Sequence, residues 1–181
     1  TRTYTLSLHD ALPISQSLRE LAEGYLARIR ETLEERQLPS QFSLMGWSVG
    51  GTAAVEVAAL AETAGYDVQQ VTLLDAYPVE QWQGIPEPDE QESFRALLRM
   101  GGLPEVSAQT VLDLPQTLER LRDAGSAMGY LPEDKLEVCL ESMRASAALM
   151  RGSNHLNFGG KVVLIGVSHD DQPYLDAHGW E

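Results

Sequence analysis

The chain has 181 residues, of which 43% are hydrophobic, and this predicts one domain with an ordinary globular core. The formal net charge of −14 argues against nucleic acid and anionic membranes as partners. No apolar run is long enough to span a membrane, and no secretory signal is visible. The single cysteine, Cys139, excludes a disulfide framework. We therefore expect a cytoplasmic protein, in which Cys139 is a small buried residue of a helix.

Residues 1–16 differ from the rest of the chain, because they show no clear periodicity. The string 6–14 resembles translated sequencing-adapter sequence. We therefore interpret residues 1–16 as a non-native leader and expect the domain to comprise residues 17–181.

A helix is predicted directly after this leader. Ser17 and Glu20 form a capping box, and apolar residues then recur at helical spacing as far as Leu33. The sequence Leu38-Pro39-Ser40 ends this helix, and a short apolar strand follows at residues 42–45.

The segment after this strand is the most informative part of the sequence, because it reads Gly46-Trp47-Ser48-Val49-Gly50. A G-x-S-x-G match between a strand and a helix is typical of a nucleophile elbow, a tight turn that exposes the serine hydroxyl. Glycine is expected at both ends, since a side chain at Gly46 or Gly50 would collide with neighbouring backbone. Ser48 is the predicted nucleophile. The N–H of Val49 opens the next helix and can donate to a developing oxyanion.

The chain after the elbow reads as an α/β fold. An alanine-rich helix runs to residue 64, with Gly65 as its stop, and a strand at 70–74 ends at Asp75. Such a strand–helix–strand unit predicts a parallel pair. Prolines then divide the chain into helical segments, predicted at 90–100, 107–113, 117–127 and 134–150. Residues 161–167 read as a buried parallel strand, so a helical insertion interrupts the sheet.

A serine nucleophile needs a base, and an acid that orients the base. In α/β-hydrolases the acid and then a histidine follow the serine along the chain. Asp75 follows the second strand, while Asp170 and Asp171 follow the last strand. Both places lie at the edge where such sheets carry catalytic groups, and both suit a turn-forming Asp, so geometry alone leaves the choice open.

Two segments resemble the thioesterase domains that end nonribosomal peptide synthetases. Gly46-Trp47-Ser48-Val49-Gly50-Gly51 resembles their Gly-Trp-Ser-x-Gly-Gly elbow, and Leu73-Leu74-Asp75-Ala76-Tyr77-Pro78 resembles the segment that carries their triad Asp. The helix before the elbow is also similar. The resemblance implies a partial α/β-hydrolase fold, a parallel sheet with flanking helices and a helical lid insertion at about 78–157. It also implies that Asp75 is the triad acid, rather than Asp170 or Asp171.

The same resemblance implies two parts that we do not find in the sequence. The family's catalytic histidine lies beyond the last strand seen here, and none of the chain's histidines matches that position. These histidines are His9, His155, His169 and His178. We expect the chain to be an incomplete domain, with its histidine beyond Glu181. The second oxyanion donor would come from a loop that precedes Ser17.

The resemblance implies release of a peptidyl or acyl chain from the 4'-phosphopantetheine thioester of a carrier protein. Ser48 would form an acyl-enzyme, which is resolved by hydrolysis or cyclisation, and the domain itself would bind no cofactor or metal. The carrier protein is then the expected partner. Two alternatives stay open: a stand-alone lipase-like or editing hydrolase, and a catalytically inactive fragment or carrier-binding module.

Overall fold

The sheet contains three parallel strands in the order β1-β2-β3 within the part of the chain that the structure, a computed structural model, describes. That part comprises residues 17–84, 86–154, 156–166 and 180. The strands are β1 (Gln41–Trp47), β2 (Asp67–Leu74) and β3 (Val162–Ile165). Each neighbouring pair is parallel, which confirms the predicted α/β architecture. The segment interpreted as a leader, 1–16, lies outside the described residues.

Six α-helices and one 3₁₀ helix accompany these strands among the described residues. They are α1 (Leu18–Glu35), α2 (Val49–Thr63), α3 (Glu80–Gln83), α4 (Glu90–Met100), α5 (Leu114–Asp123), the 3₁₀ helix Ala127–Tyr130, and α6 (Glu133–Arg151). The predicted cap of α1 is present, since the Glu20 N–H donates to Ser17 Oγ at 3.1 Å. No helix in the described ranges is both long and apolar enough to cross a membrane.

Helix α2 joins β1 to β2 and is buried on almost all sides. Its alanines leave little side-chain bulk, so the helix can lie close to the sheet. Those that are fully or nearly fully buried are Ala53, Ala54, Ala58, Ala59 and Ala61. The positive φ of +84° at Gly65 confirms the predicted stop after this helix. One charged residue, Glu56, is 2% exposed in the middle of α2, where its Oε2 accepts the N–H of Leu156 at 3.0 Å.

The registers of the three strands bring their carboxyl ends to one edge. Trp47 pairs with Leu74, and Leu74 pairs with Ile165. The next residues along the chain are therefore Ser48, Asp75 and Gly166, which follow the three strands at the same edge of the sheet.

Residues 86–148 form a compact helical unit with its own apolar core. The core residues come from α4, α5, α6 and the connection between α4 and α5. They are Phe94, Leu97, Leu98, Leu112, Leu118, Leu121, Leu136 and Leu140. The helices α4 and α6 confirm the predictions for 90–100 and 134–150. Just outside the insertion, the Gln83 side-chain amide donates to Ser153 O at 3.0 Å, so the chain leaves and re-enters the sheet unit at one place.

The prediction of a helix at 107–113 is wrong, because this stretch is irregular. The Gln91 side chain donates to Leu112 O at 2.8 Å and accepts the Leu112 N–H at 2.7 Å, which replaces the bonds a helix would make. The next helix, predicted at 117–127, begins at Leu114 because Asp113 caps it and Pro115 suits its first turn. One of the prolines that divide the sequence therefore also starts a helix.

The prediction of a buried Cys139 is also wrong, since its side chain is half-buried on α6. Leu136 and Leu140 face the core, whereas Val138 is 54% exposed. Residue 139 therefore lies at the border of the apolar face of α6 rather than in its centre.

Candidate active site

Ser48 lies in the turn between β1 and α2, with its side chain at the exposed carboxyl edge of the sheet. Its backbone has φ 52° and ψ −128°, a conformation that costs energy for a residue with a side chain. Neighbouring elements hold it there: the Ser48 N–H donates to Leu74 O at 2.9 Å, and Ser48 O accepts the Gly51 N–H at 2.9 Å. The sharp strand–turn–helix geometry is that of a nucleophile elbow.

The glycines of the elbow do not contribute equally to this turn. A Cβ at Gly46 would lie 2.1 Å from Gly50 O, which confirms the need for glycine there. The same expectation for Gly50 is wrong, because a Cβ at that position would meet nothing within 4 Å. Gly51 is needed instead, since its Cβ would lie 2.5 Å from the Cβ of Ala76. The close approach thus joins the elbow to the loop after β2. Trp47, the last residue of β1, is 67% exposed.

Val49 is the first residue of α2 and packs against a small apolar cluster of Leu18, Ala53, Val79 and Met150. The first N–H groups of a helix have no carbonyl partner within that helix. The N–H of Val49 therefore lies directly beside Ser48 at the positive end of the α2 dipole, where it can stabilise negative charge. Its role as an oxyanion donor stays a prediction.

Asp75 follows β2 as Ser48 follows β1, and it also has a positive φ, of 49°. Its N–H donates to Ile165 O of β3 at 2.9 Å, and its side chain is half-buried. The Tyr77 hydroxyl donates to Asp75 Oδ1 at 3.2 Å. Of the two places predicted for a triad acid, the structure describes this one and sets it next to the elbow. Asp170 and Asp171 lie outside the described residues.

The loop 75–77 is fixed by contacts that the sequence did not reveal. The Trp180 indole N–H donates to Ala76 O at 2.9 Å, and the Thr52 hydroxyl of α2 contacts Tyr77 O at 3.5 Å. Tyr77 is only 6% exposed. The signal available in the sequence for the contact of Tyr77 with Asp75 was their separation of only two positions in one short loop.

The sequence predicts a histidine base for Ser48 and no metal ion. All four histidines, His9, His155, His169 and His178, lie outside the described residues, so the prediction for the base stays untested. Among the residues that the structure describes, no group of three or more His, Cys, Asp or Glu is arranged to hold a metal ion.

A cavity of about 260 Å³ lies between α1 and α2 and is lined by Leu26, Leu60 and Tyr66 among others. None of the predicted site residues lines this cavity.

The model of the thioesterase domain family matches residues 2–172 of the chain. The chain belongs to this family. The match includes the elbow and Asp75, the segments that carry the resemblance in the sequence, and this confirms the predicted family. It begins within the segment 1–16, whose origin stays a prediction.

The curated proteins that are similar in sequence to this chain include a peptide synthetase and a thioesterase. It is 32% identical over 153 residues to the "Dimodular nonribosomal peptide synthase" of Bacillus subtilis (strain 168), which covers 84% of the chain and 6% of that protein. It is 29% identical over 104 residues to "Thioesterase pytI" of Aspergillus terreus, which covers 54% of the chain and 33% of that protein. The chain therefore spans a small part of the relatives it matches.

Solved structures show the fold. The four-domain nonribosomal peptide synthetase holo-AB3403 superposes with a TM-score of 0.69 and 16% identity, covering 92% of the chain and 13% of that structure. The NocB thioesterase domain from the nocardicin cluster superposes with a TM-score of 0.56 and 20% identity, covering 96% of the chain and 60% of that domain. These likenesses confirm the predicted α/β-hydrolase fold.

Proposed function

We propose that this thioesterase domain releases a peptidyl or acyl chain from the phosphopantetheine thioester of a carrier protein, with Ser48 as nucleophile. The observation that carries the proposal is the strained elbow at Ser48, next to Asp75 at the carboxyl edge of the sheet. Membership of the thioesterase family and the likeness to a dimodular nonribosomal peptide synthase support the class of substrate. A carrier protein is the proposed partner, and a cytoplasmic location stays a prediction.

In the proposed reaction, Ser48 Oγ attacks the carbonyl carbon of the thioester. The carbon–sulfur bond breaks, the phosphopantetheine thiol leaves with a proton, and the acyl chain stays on Ser48 as an ester. Water or a nucleophile of the substrate then attacks this ester and releases an acid or a ring. The Val49 N–H stabilises the oxyanion that forms in both steps.

Asp75 is proposed to orient the base that takes the Ser48 proton. The histidine predicted for that task lies outside the described residues. The helical unit 86–148, which interrupts the chain between β2 and β3, is assigned the role of the family's lid. A lid of this kind excludes water from the ester, which favours cyclisation over hydrolysis when the substrate carries its own nucleophile.

The test is release of an acyl group from acyl-pantetheine and from an acylated carrier protein by the full-length protein. We expect Ser48→Ala to lower kcat by about 10⁶. The matched control is Ser43→Ala, which removes an exposed hydroxyl from β1, the strand that ends just before Ser48, and should leave the rate unchanged. We expect Asp75→Asn to lower kcat by about 10⁴, the cost of a misoriented base in a serine triad.

Mass spectrometry of the protein during turnover separates the chemistry from simple binding. An acyl adduct on the peptide that contains Ser48 is expected in the wild type and absent in Ser48→Ala. Equal release by the wild type and Ser48→Ala would refute Ser48 as nucleophile. Release from acyl-pantetheine but never from an acylated carrier protein would instead refute the proposed partner.

A further inference from the structure

The hydroxyl of Tyr77 lies at the same edge of the sheet as Ser48 and Asp75. It donates to Asp75 Oδ1 at 3.2 Å. A Cβ built on Gly166, the residue after β3, would lie 3.7 Å from this hydroxyl. The phenol is therefore next to the ends of both β2 and β3, and it contacts the proposed triad acid directly.

The position of this ring is fixed by its backbone and its surroundings. Tyr77 is 6% exposed, and its carbonyl oxygen contacts the Thr52 hydroxyl of α2 at 3.5 Å. The preceding carbonyl, of Ala76, accepts the Trp180 indole N–H at 2.9 Å. The following residue, Pro78, is completely buried. A buried ring on a backbone that is held at these points has few other orientations, so it can restrict the group that it contacts.

The electrostatics of the pair favour a neutral donor beside a charged acceptor. Burial raises the pKa of the Tyr77 hydroxyl above its ordinary value of 10.0, and the negative charge of Asp75 and the hydrogen bond to it raise it further. The hydroxyl therefore keeps its proton throughout the pH range in which a serine hydrolase works. A hydrogen bond to a charged group is also stronger than one between neutral groups.

We propose that Tyr77 is a positioning residue, whose hydroxyl holds the Asp75 carboxylate in the orientation that the base requires. The inference rests on the proposed function, in which Asp75 is the triad acid. The side chain of Asp75 is only half-buried, so burial alone does not select one orientation of its carboxylate. The hydroxyl of Tyr77 supplies that selection, since it fixes one carboxylate oxygen at a defined point beside the sheet.

The kinetic test compares Tyr77→Phe with the wild type in the release of an acyl group from acyl-pantetheine. Because the ring is kept and only the hydroxyl is removed, we expect kcat to fall about tenfold with KM unchanged, as for loss of one hydrogen bond to a charged group. The matched control is Tyr66→Phe, the same change at the other end of β2, where the ring contacts Phe42. This control should keep the wild-type kcat.

The outcomes separate the inference from the proposed function. If Ser48→Ala abolishes release and Tyr77→Phe keeps the wild-type kcat, the inference is refuted while the proposed function stands. An equal loss in Tyr77→Phe and Tyr66→Phe also refutes it, because the effect would then be general. If Ser48→Ala changes nothing, the proposed function fails and the inference fails with it.

A second measurement needs no turnover. The ionisation of Tyr77 is followed by ultraviolet absorbance, as the difference between titrations with and without Tyr77→Phe. In Asp75→Asn the negative charge is gone, so Tyr77 should ionise at a lower pH than in the wild type. An unchanged titration would show that the hydroxyl does not face Asp75, and would overturn the inference.

Discussion

Two alanine substitutions in the elbow should have opposite effects on stability. A Cβ at Gly46 would lie 2.1 Å from Gly50 O, 2.3 Å from Gly50 C and 2.5 Å from Gly51 N, whereas real Cβ contacts almost never fall below 3.0 Å. All three atoms are backbone, so no side chain can move away. A Cβ at Gly50 would meet nothing within 4 Å, and Gly50 lies in the first turn of α2.

The expected magnitudes follow from these contacts. In Gly46→Ala the turn must open by roughly 1 Å, and overpacking of this kind costs about 1–3 kcal/mol or more. In Gly50→Ala the native backbone accepts the methyl group without contact, and the unfolded chain loses conformational freedom. This substitution should therefore stabilise the protein by about 0.4–1 kcal/mol.

The assay is urea denaturation followed by tryptophan fluorescence. All three tryptophans, Trp47, Trp82 and Trp180, lie in the unit of residues 1–85 and 149–181, so the signal reports unfolding of the unit that contains the elbow. We expect the midpoint to fall for Gly46→Ala and to rise slightly for Gly50→Ala. Equal destabilisation by the two substitutions, or none by Gly46→Ala, would contradict the close approach described above.

Two further substitutions test polar contacts in each unit. Burial raises the pKa of Glu56, and the hydrogen bond from the Leu156 N–H and the charge of Arg19 offset only part of this rise. The carboxyl therefore stabilises the fold below pH 4.5, and this contribution is lost as pH rises through the raised pKa. Glu56→Gln should therefore be more stable than the wild type at pH 7 and equal at pH 4; a difference independent of pH in urea midpoints would refute this. Gln91→Ala removes both bonds to the Leu112 backbone, so amide exchange at Leu112 should become at least about tenfold faster, with Gln116→Ala as the unaffected control. Unchanged exchange would show that these bonds do not hold the loop.

The sheet and the elbow could be predicted because their signals are local. The strand before Ser48, the alanine-rich helix after it and the stop at Gly65 each follow from short-range pattern, and the structure places all of them as expected. The choice of glycines could not be made this way. Whether a methyl group fits at Gly50 or Gly51 depends on the distance to Ala76, a residue that is distant in the chain.

The connections of the helical unit also depend on contacts between residues that are distant in the chain. Residues 107–113 have no strong helix-breaking signal of their own, and their irregular path depends on the Gln91 side chain from a different helix. The contact of Tyr77 with Asp75 was within reach of the sequence, because the two residues are neighbours in the loop. The hydrogen bond from Trp180 to Ala76 could not be predicted from the sequence, since it joins segments that only folding brings together.

The hydrogen bond between Gln83 and Ser153 makes the insertion of residues 86–148 a replaceable module. Gln83 and Ser153, which flank the insertion on its two sides, are joined by a hydrogen bond of 3.0 Å, and the leucine-rich core is internal to residues 86–148. A segment with adjacent ends and its own core can be exchanged, lengthened or shortened at small cost to the scaffold that carries it. Evolution can therefore change the insertion while the strands that hold Ser48 and Asp75 stay the same.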